Sequence, residues 1–179
     1  MTINLTLKAD DYLIYQLYTA STSKESRKKR LKSWLTITGL SFLTALSFYI
    51  ADDVFLYYYA LFVGVISLFF YPLYQRVWYK KFYKKHVLKN YEYRFDKESL
   101  IHIHHDYIEI KDVMYEGKLF TSEIERINEI GTHYFIQFKV GQSLIIPKQQ
   151  VKPAFLDEIL SIFQNPVIVV QKQLEWKWK

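Results

Sequence analysis

Between Ser33 and Gln75 the only charges are two adjacent acids, Asp52 and Asp53. They divide the run into 19 uncharged residues (33–51) and 22 uncharged residues (54–75). A helix needs about 20 apolar residues to cross a hydrocarbon core of roughly 30 Å, so each half is long enough to span. An aspartate at mid-membrane costs about 2.5–3.5 kcal/mol, and a pair is expelled to an interface. Asp52 and Asp53 are therefore expected at the tip of a helical hairpin.

The flanks set the orientation. Lys24, Arg27, Lys28, Lys29, Arg30 and Lys32 precede the first span, and Arg76, Lys80, Lys81, Lys84 and Lys85 follow the second, whereas the tip carries no Lys or Arg. Positive residues stay on the cytoplasmic side, so both termini are expected inside and the acidic tip outside. Trp34 and Trp78 fall at the inner interface, with Tyr74 and Tyr79, while Tyr49 and Tyr57–Tyr59 fall near the tip. A soluble hairpin buried in a core would not call for this bracket of charge. Small residues recur at matched distances from the tip, Ser41 and Ala45 in one span and Ala60 and Gly64 in the other, where they allow close helix packing. Pro72 is expected to bend or end the second helix. The same packing surface leaves room for a homo-oligomer.

The whole-chain average hides this segregation, since mean hydropathy is only −0.08 and the net charge is +6. The basic run SRKKRLK taken alone resembles a nucleic-acid or anionic-lipid patch. Directly against a span its ordinary role is topology, with contact to anionic lipids as a by-product, so no nucleic-acid partner is expected. Cysteine is absent, which excludes disulfides and Cys-based zinc sites. The N-terminus has acids where a signal peptide has bases, so no cleavable signal is expected.

From residue 90 the pattern turns to period two. Tyr91, Tyr93 and Phe95 alternate with Glu92, Arg94 and Asp96, and further short runs follow at 100–104, 107–110, 133–140 and 143–146. Gly117, Gly131-Thr132 and Gly141-Gln142 punctuate them as turns. VKPAFLDEILSIF reads as an amphipathic helix with Phe155, Ile159, Leu160 and Phe163 on one face. The expectation is an α+β membrane protein: residues 1–32 a cytoplasmic strand, helix and basic patch, 33–75 a two-helix transmembrane hairpin, and 90–179 a cytoplasmic antiparallel β-barrel or roll closed by a C-terminal helix. The N-terminal INLTL alternates like a strand and is placed to join that sheet across the hairpin.

This layout resembles the YcxB-like bacterial membrane proteins. The family tends to show Trp-Ser-Asp-Ile-x-Lys-Ile-x-Glu, an aromatic strand and then Ile-Pro-Lys. Here the run is Thr121-Ser122-Glu123-Ile124-Glu125-Arg126-Ile127-Asn128-Glu129, followed by Tyr134-Phe135-Ile136-Gln137-Phe138 and Ile145-Ile146-Pro147-Lys148. Thr121 stands where the tryptophan usually is, so that anchor is lost or shifted to Phe120. The motif likeness covers residues 121–148. It implies a domain similar to pleckstrin-homology-like (PH-like) barrels, with a binding or scaffolding role, an inner-membrane location and a protein or lipid-headgroup partner. It brings no catalytic residues and no cofactor.

Chemistry has one candidate cluster, IHIHHDYIEI. His102 and His104 share a strand face, and with His105 and Asp106 they supply donors for a metal such as zinc, the basis for an alternative reading as a membrane-bound metal-dependent hydrolase. The competing structural reading turns Ile101 and Ile103 inward and His102 and His104 to water, with His105-Asp106 as a tight turn. No GxSxG elbow, Gly-rich phosphate loop or HExxH frame is present. Glu123, Glu125 and Glu129 read as solvated charges beside the packing residues Ile124, Ile127 and Ile130. In the tail, Leu174, Trp176 and Trp178 alternate with charges, which suits an edge strand or a membrane-interface segment.

Overall fold

The alternation of the first residues becomes a strand, Thr2–Thr6 (β1), whose Ile3 and Leu5 point into a core. The computed structural model describes residues 1–112, 116–163 and 168–178. The chain divides into two units, residues 1–15 with 87–177, and residues 16–86 with Trp178. After β1 come helices Ala9–Thr22 (α1), Lys24–Ile50 (α2) and Val54–Tyr91 (α3), then strands Glu98–Ile103 (β2), Tyr107–Lys111 (β3), Glu116–Phe120 (β4), Ile124–Ile130 (β5), His133–Phe138 (β6) and Ser143–Pro147 (β7). Helix Phe155–Phe163 (α4) and strand Val169–Gln173 (β8) complete the chain.

In the first unit the strands form two four-stranded sheets, ordered β1-β2-β3-β4 and β7-β6-β5-β8. β1 pairs antiparallel with β2, Ile3 opposite Ile101, so strands from before and after the helical insertion share one sheet. An antiparallel barrel or roll was expected; among the described residues the strands form two sheets and no closed barrel, and β8 runs parallel to β5. The reason is α4. A strand that follows a helical crossover returns in the parallel sense, which a tight hairpin cannot produce. Ile101, Ile103 and Ile108 of the first sheet, Ile127, Ile136 and Ile146 of the second, and Phe155, Ile159 and Phe163 of α4 form one core. β6 is buried on both faces, since Tyr134 lies against Phe155 at 5.6 Å and Phe135 against Tyr15 of α1 at 5.4 Å between ring centroids.

Several local expectations are corrected. Tyr91, Tyr93 and Phe95 do not form a strand. α3 runs through Tyr91 and ends in a 3-10 turn, Glu92–Arg94, because Tyr91 and Phe95 both pack on Tyr12, at 5.0 and 5.7 Å. Gly117 is not a turn but sits inside β4 opposite Ile110. The strand expected over 133–140 stops at Phe138, where Gly141 takes φ 82° and closes the turn to β7.

In the second unit both long helices outrun the expected spans, because the basic flanks are good helix formers and continue them. Ser23 caps α2 by accepting from the Ser26 amide at 3.3 Å. Pro72 does not end α3; the helix continues past it for five turns and forgoes only the bond that Pro72 cannot donate. At the tip, the Asp52 amide donates to the Tyr49 carbonyl and the Asp53 amide to the Phe48 carbonyl, with Asp52 at φ 56°. That is the paired carbonyl capping of a helix C-terminus with a left-handed residue. Asp53 Oδ1 then accepts from the Leu56 amide at 3.0 Å and starts α3. The two acids thus also make the bend. Between the helices, Ser33 and Tyr71 hydroxyls meet at 2.8 Å, Ser67 donates to Thr38 Oγ1 at 3.1 Å, and Gln75 donates to the Arg30 carbonyl at 3.2 Å.

Candidate functional site

The hairpin places its signature residues as follows. Ala45, Ala60 and Gly64 are buried, and a Cβ on Gly64 would meet the Phe42 ring at 3.4 Å. Ser41 is half-buried and bonds its own helix, donating to the Ile37 carbonyl, so Gly64 faces Phe42 rather than Ser41 as the matched spacing suggests. Lys24, Lys28, Lys29 and Lys32 are exposed on the first turns of α2, and Arg76, Trp78, Lys80, Lys81, Lys84 and Lys85 are exposed along α3. Trp34 is half-buried. Two of the arginines do more than set charge. Arg27 donates to the Ser21 carbonyl at 2.7 Å, and Arg30 donates to the Ala20 carbonyl at 3.1 Å while its guanidinium lies 5.5 Å from the Trp178 ring centre. The indole of Trp178 donates to the Arg76 carbonyl at 3.1 Å. Of the tail, residues 171–173 belong to β8, an edge strand of its sheet, and Trp178 is buried within the second unit.

Both helices are long and apolar enough to cross a membrane, and only 11% and 17% of their most apolar stretches are buried within the protein. A core helix of a soluble protein would be mostly covered. Leu40, Leu43, Phe55, Phe62 and Phe69 are all more than half exposed.

The histidine cluster takes the structural arrangement. Ile101 and Ile103 are buried, His102 bonds Thr2 Oγ1 at 3.0 Å, and His104 stacks on Tyr107. His105 Nδ1 pairs with Asp106 at 2.6 Å in an exposed turn. Among the described residues no group of three or more His, Asp or Glu is arranged to hold a metal ion. The turn is held from behind by buried Thr121, whose hydroxyl donates to the His105 carbonyl and whose amide donates to the Asp106 carbonyl, both at 2.9 Å. Phe120, beside Thr121, is 60% exposed.

No protein-family model, curated protein or solved structure matches the chain.

Three further features stand out in the first unit. The first is a cleft of about 420 Å³ with Leu5, Ile101 and Leu144 among its apolar lining and Tyr12, Arg94 and Asp112 among its polar lining. Arg94 Nε is buried without a hydrogen-bond partner, and among the described residues Arg94 forms no ion pair. Burial pushes the Tyr12 phenol above its ordinary value, with Arg94 opposing the shift and Asp112 adding to it. Arg94 alternates with aromatics in the sequence, and nothing in that pattern distinguishes it from a solvated charge.

The second is Glu129, expected to be solvated but buried, because β5 is covered on both faces. Lys148 Nζ donates to its Oε1 at 2.7 Å and Lys172 Nζ lies 3.8 Å from Oε2.

The third is a buried His133 whose Nε2 lies 3.0 Å from Asp11 Oδ1, while the Lys8 amide donates to Oδ2 at 2.7 Å. Burial raises the Asp11 carboxyl, but hydrogen bonds from His133 and the Lys8 amide, with the nearby positive charge, outweigh it and hold it below 3.8. A carboxyl depressed in the folded state contributes stability above its unfolded value and loses it as pH falls through the folded one. Asp11→Asn is therefore expected to destabilise by about 1–2 kcal/mol at pH 6. The gap from the parent should close below about pH 3. Thermal melts across that range check it, and a gap independent of pH would show that the charge of Asp11 is not what matters.

Proposed function

We propose that this chain is a non-enzymatic integral protein of a bacterial inner membrane, in which the helical hairpin spans the bilayer and the sheet-containing unit is cytoplasmic. The observation that carries this reading is the uncovered apolar surface of α2 and α3, far beyond the exposed patch of an ordinary soluble monomer. Two further features support it. β1 and β2 are neighbours in one sheet, so the two ends of the intervening hairpin belong on the same side of any barrier. The Lys/Arg flanks against the Asp52–Asp53 tip choose that side as the cytoplasm. The role that fits is regulatory, scaffolding or self-protective: a PH-like unit of the YcxB-like kind, held near the membrane, that binds a protein partner or lipid headgroups.

The lack of cysteine makes the topology directly testable. A single Asp52→Cys variant is expected to react with a membrane-impermeant maleimide in spheroplasts, and a single Lys97→Cys variant only after lysis. Labelling of Lys97→Cys in intact spheroplasts would sink the orientation, and recovery of the protein in the soluble fraction would sink the membrane reading. Purification from native membranes in mild detergent, with mass spectrometry of what co-purifies, then separates the partners. A stoichiometric protein identifies an accessory subunit, and enriched anionic lipid identifies a surface module.

A further inference from the structure

The basic flank of α2 divides by what its side chains already hold. The guanidinium groups of Arg27 and Arg30 are bonded to the Ser21 and Ala20 carbonyls. Lys28 and Lys32 are exposed and, among the described residues, form no ion pair. They are four residues apart, so they project side by side from one face, with Cβ atoms about 5–6 Å apart. An open groove of about 370 Å³ runs along that face, lined by Lys28, Leu31, Lys32, Leu35 and Thr36. Leu31 and Leu35 are both more than half exposed. One turn further along the same face stands Gly39, where an added Cβ would meet nothing within 4 Å. Leu43, also more than half exposed, follows one turn later. Gly39 is thus a notch in a leucine wall, about 10 Å from Lys32 toward the tip.

We infer that this face of α2 binds one anionic two-chain phospholipid of the cytoplasmic leaflet, its phosphate held between the Lys28 and Lys32 ammonium groups and one acyl chain lying over Leu31 and Leu35 into the notch at Gly39. The order of groups matches such a lipid taken from headgroup to chain: charge, then apolar wall, then space. A phosphate accepts from both lysines, and the same two cations repel the ammonium of a zwitterionic headgroup. Even counting Glu25, one turn before Lys28, the face keeps a net positive charge. The long lysine stems lie along apolar surface and carry their charges outward to the level of the phosphates. The assignment rests on the hairpin entering the bilayer with the flank of α2 on the cytoplasmic side.

The test reconstitutes the full chain into vesicles of equimolar dioleoyl phosphatidylcholine and dioleoyl phosphatidylglycerol, extracts it in mild detergent and counts the bound lipids by native mass spectrometry. Phosphatidylglycerol is expected to be retained about thirtyfold above phosphatidylcholine, since each lysine at an anionic surface contributes about fivefold. Lys28→Gln or Lys32→Gln alone should lower that preference about fivefold, and the two together should abolish it. Lys84→Gln with Lys85→Gln removes two equally exposed lysines from α3 and should leave it unchanged. Gly39→Leu fills the notch without touching charge and should lower retention of phosphatidylglycerol, with the circular dichroism of the parent preserved. Equal retention of the two lipids, an equal loss in the α3 variant or an unaffected Gly39→Leu variant would each overturn the site while leaving the hairpin in the bilayer. A parent chain that stays outside the vesicles would overturn the membrane reading, and this site with it.

Discussion

Phe155→Ala is expected to cost about 3–5 kcal/mol, the range for deleting a fully buried aromatic ring. Phe155 has no exposed surface and opens α4, at the point where that helix joins the common core of both sheets. Its ring meets Tyr134 of the central strand β6 at 5.6 Å. The cavity left behind is walled by β-branched residues on paired strands, Ile127 and Ile136 among them, which collapse poorly because their backbones are fixed by the ladders. The loss should therefore fall toward the upper part of the range. Chemical denaturation of the full chain, followed by circular dichroism, measures it. A loss under about 1 kcal/mol would mean that α4 does not close this core.

The second large effect concerns charge. Lys148→Met is expected to destabilise by about 2–3 kcal/mol, less than the 3–5 kcal/mol of a fully buried pair because Lys148 keeps about a quarter of its side chain exposed. The variant leaves the Glu129 carboxylate buried with only Lys172 nearby, at 3.8 Å, too far for a direct hydrogen bond. It also removes an ammonium 4.8 Å from the Tyr134 ring centre. The double variant Glu129→Leu with Lys148→Met should recover most of the loss, since an apolar pair in place of a buried ion pair is often neutral. A double variant as unstable as the single would show that packing by the lysine stem, not the stranded carboxylate, sets the cost.

The helices were legible because their signal is long and single-minded: an uncharged run with two acids at its middle admits few readings, and the structure adds that Asp52 and Asp53 are also the residues that turn the chain. β1, β2, β6 and α4 were legible from periodicity, down to the inward Ile101 and Ile103. What failed was local pattern overridden by tertiary context. Tyr91, Tyr93 and Phe95 alternate like a strand, yet packing on Tyr12 was the stronger demand, and Tyr12 is some eighty residues away. Glu129 reads as polar and outward, but β8 and β6 flank its strand and bury it, and β8 arrives from forty residues later. Arg94, Tyr12 and Asp112 meet only once both the first sheet and α1 are in place, so no spacing rule reaches them.

The pairing of β1 with β2 has a temporal side. Thr2 and His102 lie opposite each other but 100 residues apart in the chain. At a synthesis rate of about 5–20 residues per second, β1 leaves the ribosome roughly 5–20 s before its partner exists. Throughout that interval the whole hairpin is being made, while a short apolar strand waits with both edges open, the kind of surface that recruits other chains. The first sheet thus cannot begin to close until the hairpin has been made, and the pairing of β1 with β2 reports that everything between them has already been delivered.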